Sequence, residues 1–137
     1  LHPGSRRRPS SSRLRRSTRR DRANYRRVVR YLFAVIADTT GTITASDVEM
    51  EAIDAFNNRI EAAGYRVMAA GIATPDRSLL VDNRDQRGIL SNGPAWETHQ
   101  FMSGFWIIDA DSEAVATSLA MDASAACNRT IEIRPFL

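Results

Sequence analysis

The sequence predicts an α+β domain made of short strands and two helices. Residues 28–37 form an apolar run rich in β-branched and aromatic side chains, which is typical of a buried strand. Residues 46–63 carry apolar side chains at spacings of three and four, which is typical of an amphipathic helix. Further strand patterns and a second helix pattern follow. This mixture favours the α+β class over an all-helical or all-strand fold.

Arginine divides the 137-residue chain into two unlike parts. All 19 basic residues are Arg, and residues 1–30 hold 12 of them with a single acid, Asp21. Residues 31–137 hold 7 Arg against 15 Asp or Glu. The length suits one domain, and that domain is acidic. The composition therefore argues against a folded core that binds nucleic acid through a basic surface.

Residues 1–27 are rich in Arg, Ser and Pro and almost devoid of large apolar side chains. Such a segment cannot bury enough surface to offset its chain entropy, so we expect it to be disordered. It has the composition of a phosphate-binding arm or a targeting peptide, although the apolar run that follows is short for an export signal. We favour a segment foreign to the natural protein. Nucleic acid is an expected partner only if this segment is native, and the domain is assigned to residues 28–137.

The first helix has the clearest boundaries. Ser46 and Glu49 have the spacing of a capping box, in which hydroxyl and carboxylate satisfy free amides of the first turn. Gly64 stands where a left-handed residue would end the helix. The apolar stripe predicted to face the core is Met50, Ile53, Phe56, Ile60 and Ala63.

The second half repeats strand and helix patterns. We predict strands over 66–73, over 78–82 with a continuation at 88–90, over 101–109 and over 129–135. The turn signal Asn92-Gly93-Pro94 precedes the fourth of these segments. Ser112 is expected to cap a helix with Val115, Leu119 and Ala123 on one side. In the last strand, Ile131 and Ile133 should point inward, and Glu132 and Arg134 outward.

The order β-α-β-β-(β)-α-β predicts a ferredoxin-like subunit with both helices on one face of the sheet. The first strand and residues 101–109 carry large apolar side chains on both faces. Two helices cannot cover both sides of a sheet, and a bare apolar face of several hundred Å² is unusual on a monomer. The sequence therefore predicts a homodimer that packs face to face.

Other composition features limit the class of protein. Cys127 is the only cysteine, so it cannot form an internal disulfide, and no Cys/His spacing suits zinc. A reduced, cytoplasmic setting fits this cysteine content. No apolar run approaches the roughly 18 residues of a membrane span. We expect no metal, no cofactor and no membrane partner.

Glu97 and His99 are the candidate catalytic residues. His99 is the only histidine beyond residue 27, and Glu97 lies two positions before it, so both can point to one side of an extended segment. A carboxylate that orients an imidazole is a plausible general base. The alternative is a partly exposed polar pair after a turn, and no nucleophile is identifiable.

Several other residues have a structural and a functional interpretation. Asp109 and Asp111 could bind a cation, but we favour a role at the start of the next helix. Cys127 is expected to be a small buried thiol. Arg134 could pair with an anion or with Glu132 of another copy. The aromatic residues around the turn could line a pocket between subunits, although core packing explains them too; they are Trp96, Phe101, Phe105 and Trp106.

The stretch from Asn92 to Thr98, Asn-Gly-Pro-Ala-Trp-Glu-Thr, resembles the Asp-Gly-Pro-Phe-Ala-Glu-Thr signature of YCII-related (DGPF-domain) proteins. Three flanking stretches are also similar to this family: Val29-Arg-Tyr-Leu-Phe33, Ser103-Gly-Phe-Trp-Ile-Ile-Asp109, and Ile131-Glu-Ile-Arg-Pro135. The resemblance spans roughly residues 29–137. Within the signature, Asn92 replaces Asp and Ala95 replaces Phe. Because Asn cannot act as a base, a function that needs that carboxylate is not expected here.

The resemblance implies a dimeric α/β barrel of ferredoxin-like subunits. Most members have no assigned reaction, and some are encoded beside alternative sigma factors. A small dimeric module that binds a small molecule or has a regulatory role is therefore the expected function, with ligand contacts from Asn92, Gly93, Pro94, Trp96 and Trp106. The alternative is a cofactor-independent enzyme that uses Glu97 and His99. A related branch carries a His–Asp pair, and the first strand here has no histidine to match it.

Overall fold

A computed structural model of the chain describes residues 28–41 and 44–137, so the disorder predicted for residues 1–27 lies outside the described residues. The described part contains six strands and two α-helices. The strands are β1 (Val29–Asp38), β2 (Arg66–Gly71), β3 (Leu79–Asp82), β4 (Ile89–Asn92), β5 (Gln100–Ala110) and β6 (Thr130–Pro135), and the helices are α1 (Asp47–Ala62) and α2 (Glu113–Cys127).

Four strands form one antiparallel sheet in the order β2-β5-β1-β6. β3 and β4 form a separate two-stranded antiparallel sheet. The predicted α+β class is confirmed, and this order is compatible with a ferredoxin-like fold. Neither described helix is both long and apolar enough to cross a membrane.

Both helices pack on one face of the four-stranded sheet. Phe33 and Ile108 on the central strands are completely buried, and Phe56 and Ile60 of α1 are nearly so. The rings of Phe56 and Trp106 meet edge to face at 5.3 Å, an arrangement worth about 0.5–1.5 kcal/mol beyond the area buried. The indole N–H of Trp106 donates to Asn57 Oδ1 at 2.8 Å, so this polar atom enters the core with its partner.

The opposite face of the sheet carries a row of apolar side chains that no described helix covers. We call it the open face and define it by Leu32, Ile36, Met68, Phe105 and Ile107. Met68 is half exposed and the other four are partly exposed. None of the five belongs to the buried core cluster or packs against it. The prediction that both faces of the sheet carry apolar residues is confirmed.

The helix ends follow local sequence signals. The hydroxyls of Ser46 and Ser112 accept amide N–H groups three residues later, as predicted for N-caps. Gly64 adopts φ +79° directly after α1, as expected for a left-handed terminator. The reciprocal half of the predicted capping box is absent, because the Glu49 carboxylate turns to Arg129 at 3.7 Å.

The buried stripes of the helices are narrower than predicted. Met50 of α1 is 54% exposed, and Ala63 is exposed after the helix end. In α2, Val115 and Leu119 flank the core without being fully buried. The residues buried there are small, which lets the helix approach its neighbours closely; they are Ala116, Ala120, Ala123 and Cys127.

The segment between β2 and β5 differs from the sequence prediction. Residues 88–90 do not continue the preceding strand; residues 89–92 form β4, which turns back to pair with β3. The reversal passes through Asp85, Gln86 and Gly88, all with positive φ. At the base, the Gly93 amide donates to the Ser78 carbonyl at 2.8 Å, and Gly93 has φ +106°. We call residues 78–93 the hairpin.

Gly104 allows the close approach of β5 and β2. A Cβ at this position would lie 2.9 Å from the Ala70 carbonyl oxygen and 3.3 Å from Gly71 Cα, both in the backbone. We expect Gly104→Ala to lower the free energy of unfolding by about 1–3 kcal/mol, because the strands must separate to admit the methyl group. Chemical denaturation measures this change.

Gly71→Ala is the matched control for that substitution. The added Cβ would lie 4.0 Å from the Ser103 carbonyl oxygen, which is ordinary van der Waals contact. A Gly104→Ala protein as stable as the Gly71→Ala protein would contradict the close approach.

Candidate functional site

A cleft of about 1510 Å³ opens at one end of the open face. Its floor includes Ile36, Met102 and Thr130, which are register neighbours on β1, β5 and β6. Its walls are two segments that flank the hairpin, residues 74–76 before it and residues 94–99 after it, and we call them the rim segments. The rim segments directly precede and follow the hairpin in the chain, so the hairpin begins and ends at the mouth of the cleft.

Glu97, His99 and Trp96 all line this cleft, as does Pro94. The indole of Trp96 is 74% exposed, which is a high value for so large an apolar side chain. Phe101, which the sequence also singled out, lines the cleft with them. Glu97 and His99 make no hydrogen bond to each other, and Glu97 has no polar partner among the described residues.

His99 is held by an extension of the β1–β5 pairing. Its carbonyl accepts the Thr39 amide at 2.8 Å, one position beyond the pairing of Asp38 with Gln100. The imidazole Nδ1 lies 3.4 Å from Thr39 Oγ1. The group next to the imidazole is thus the Thr39 hydroxyl at the end of β1, and not the Glu97 carboxylate.

Asp38 lies beside this pair and ends β1 in a tight turn. Its Oδ1 accepts the Thr40 amide at 2.9 Å and the Thr40 hydroxyl at 2.7 Å. The backbone hydrogen bond, then the hydroxyl, and to a lesser extent the charge of His99 lower the pKa of Asp38. The carboxylate is therefore ionised and fixed in place next to His99.

Three carboxylates line the cleft against one imidazole. Asp76 accepts the Thr74 hydroxyl, and Glu132 is bound by Arg134 Nε at 2.8 Å. Thr98 donates its hydroxyl to the Gln100 carbonyl, which fixes the segment next to His99. The cleft thus combines an apolar floor, an exposed indole and polar groups on its walls. A mostly apolar surface with a few oriented polar groups is typical of small-molecule sites.

Three of the residues that were predicted to contact a ligand do not line the cleft. Trp106 is 4% exposed and faces the helices, so it is a core residue hydrogen-bonded to Asn57. Asn92 ends β4, and Gly93 forms the base of the hairpin, next to the rim but outside the lining of the cleft. The aromatic residues of the region therefore divide between the core (Trp106), the cleft (Trp96 and Phe101) and the open face (Phe105).

The remaining candidates have structural partners. Asp109 receives two hydrogen bonds from Arg30, at 2.8 and 3.0 Å, which lower its pKa. This contact differs from the expected role at the helix start, where Ser112 is the cap. Cys127 is buried as predicted, and burial raises the pKa of its thiol. Arg134 pairs with Glu132 of its own chain.

The sequence interpretation missed Thr39 and Asp38. Sixty positions separate Thr39 from His99, and only the register of β1 on β5 brings them together. Asp38-Thr39-Thr40 carried a turn signal, and a turn that follows a central strand was the available hint.

Within residues 28–41 and 44–137, no cluster of three or more His, Cys, Asp or Glu side chains could hold a metal ion. Comparisons with protein-family models and with curated proteins find no match to this chain.

The Thr40 hydroxyl can be tested as a cause of the low Asp38 pKa. Thr40→Val keeps the backbone hydrogen bond and removes the hydroxyl, so we expect the Asp38 pKa to rise toward its ordinary value. Carboxyl ¹³C NMR titration measures it. Because the folded-state pKa is lowered, the stabilisation by this carboxylate is present above the unfolded pKa and is lost as pH falls through the folded pKa.

His99→Ala is the comparison variant, since the histidine charge is the smallest of the causes that lower the Asp38 pKa. We expect a smaller upward shift than in Thr40→Val. An unchanged Asp38 pKa in the Thr40→Val protein would contradict the hydrogen bond as its cause.

Proposed function

We propose that the chain is a small-molecule-binding module that works as a homodimer. The observation that carries the proposal is the cleft with Trp96, Glu97 and His99 on its walls and apolar side chains on its floor. An indole left 74% exposed at the mouth of a cleft is a ready surface for an apolar or aromatic ligand. Glu97 and His99 would then orient polar groups of that ligand.

The open face supports the homodimer. Leu32, Phe105 and Ile107 form a continuous apolar row beside the cleft floor. A second copy packed on this face would shield the row and roof part of the cleft. The cleft volume exceeds the roughly 300–1,000 Å³ of a typical ligand pocket, which agrees with a site that is completed by a second subunit.

The resemblance to YCII-related proteins supports the same proposal from the sequence side. The signature-like stretch 92–98 supplies one rim segment of the cleft, together with the end of the hairpin. A signature-like turn at the mouth of a cleft fits a binding or regulatory module. Membership of that family and the dimeric α/β barrel are part of this proposal.

A binding experiment tests the role of Trp96. The neutral fluorescent probe N-phenyl-1-naphthylamine is titrated into the full chain and into Trp96→Ala. We expect Trp96→Ala to raise the dissociation constant by roughly 3- to 10-fold, because the aromatic contact contributes about 0.5–1.5 kcal/mol. Met121→Ala, at a 70% exposed position on α2, is the control and should bind as the unaltered chain does. Equal affinity of the two variants would refute the cleft as the binding site.

A cofactor-independent enzyme is the second candidate function, because both Glu97 and His99 line the cleft. In this case His99 would act as the base, with the Thr39 hydroxyl next to its ring and the charge of Asp38 nearby. The candidate requires that His99→Ala and Glu97→Gln lower turnover of a compound that the cleft binds, while the probe still binds. If both variants keep full activity and the same oligomeric state, the enzymatic alternative fails.

A further inference from the structure

The hairpin is an apolar structure without a covering partner in the described chain. Val81 and Leu90 pair across it on one face, and both are more than 60% exposed. Three further exposed apolar side chains belong to the same two strands: Leu79, Leu80 and Ile89. No residue of either strand belongs to the buried core or packs against it.

An isolated two-stranded hairpin is marginally stable in water. This hairpin is held by the pairing of β3 with β4 and by contacts at its two ends. At the base, the Gly93 amide donates to the Ser78 carbonyl, and at the tip Asp82 accepts three hydrogen bonds from Arg84, one of them from its backbone amide. Its middle is uncharged, with Val81 and Leu90 on one face and Leu80 opposite Ser91 on the other. Such a surface calls for an apolar partner.

The same chain supplies a second uncovered apolar surface, the open face. Its two central strands are also uncharged in their middle, with Leu32, Phe105 and Ile107 side by side. The Arg30–Asp109 ion pair lies at one end, and the Glu132–Arg134 ion pair lies on β6 next to Leu32. The cleft floor continues this face, and the rim segments join the cleft to the hairpin. The cleft and its rim segments therefore connect the two uncovered surfaces.

We propose that the hairpin is an arm that docks on a second copy of this chain and helps to close that copy's cleft. The proposal rests on the self-association proposed above and adds the element that makes the contact. In a dimer with a two-fold axis, each arm would contact the other copy, so a single interface would cover both the hairpin and the open face. An unrelated protein would need to match the hairpin and the open face separately.

A dimer interface that includes the arm is larger than one formed by the open face alone. A stable interface buries about 800 Å² from each partner. The open face alone is already partly shielded, because four of its five side chains are only partly exposed. The arm adds five large apolar side chains that are 36–66% exposed, which extends the contact beyond the sheet.

Sedimentation velocity of the full chain at micromolar concentrations tests the arm. Val81→Asp and Leu90→Asp each place a charge in the middle of the hairpin, outside the core. We expect each to raise the dimer dissociation constant by about 30-fold or more, as for a central interface residue. Met121→Asp on α2 is the matched control and should leave the dimer unchanged.

A further variant distinguishes failure of the arm from failure of the proposed sheet contact. Ile107→Asp tests the open face in the same experiment. If it dissociates the dimer while both hairpin variants remain dimeric, the arm is refuted and the proposed sheet contact stands. An unaltered chain that sediments as a monomer refutes the arm and the sheet contact together. If that monomer still binds N-phenyl-1-naphthylamine, the proposed cleft site stands although the proposed dimer does not.

Hydrogen exchange on the unaltered chain provides a measurement that needs no variant. We expect amides of residues 79–82 and 89–92 that do not pair within the hairpin to gain protection as concentration rises through the dimer dissociation constant. Protection of the open face without any change in these two strands would overturn the arm.

Discussion

Both helices pack on the same face of the four-stranded sheet, and the other features of the molecule depend on this one-sided packing. Phe33, Trp106 and Ile108 are buried because α1 and α2 cover them. Leu32, Phe105 and Ile107 alternate with them on the same strands and therefore face away from the helices. Strand geometry allows no other result, since successive side chains point to opposite faces. The cleft then forms where this uncovered side meets the segments that lead into and out of the hairpin.

The position of the cleft follows from the connection between β2 and β5. Both rim segments belong to this connection, so the length of chain that forms the hairpin also forms the walls of the site. The register of β1 on β5 adds the remaining groups by placing Asp38 and Thr39 beside His99. Under the proposed function, a loop would give the binding site its shape, and the two central strands would supply its fixed polar groups. A rigid sheet beneath a connecting segment is a common way to build a specific site.

The elements that the sequence predicted well are those with local signals. Ser46, Gly64 and Ser112 act on neighbouring residues only, so their roles could be read from spacing alone. The hairpin was incompletely predicted because Asp85 and Gln86 take positive φ, which non-glycine side chains adopt infrequently. Trp96 and His99 could be expected in a cleft near the signature-like turn. Trp106 could not be assigned to a face, because both sides of β5 are apolar and only the helix positions decide between them.

The two tryptophans of the chain occupy opposite environments. Trp106 is enclosed by helix side chains with its N–H bound to Asn57, whereas the indole of Trp96 stands in solvent at the cleft. Soluble quenchers such as acrylamide would reach one chromophore and spare the other. The emission of this chain thus contains two optical signals, a quenchable one from the cleft and a shielded one from the core.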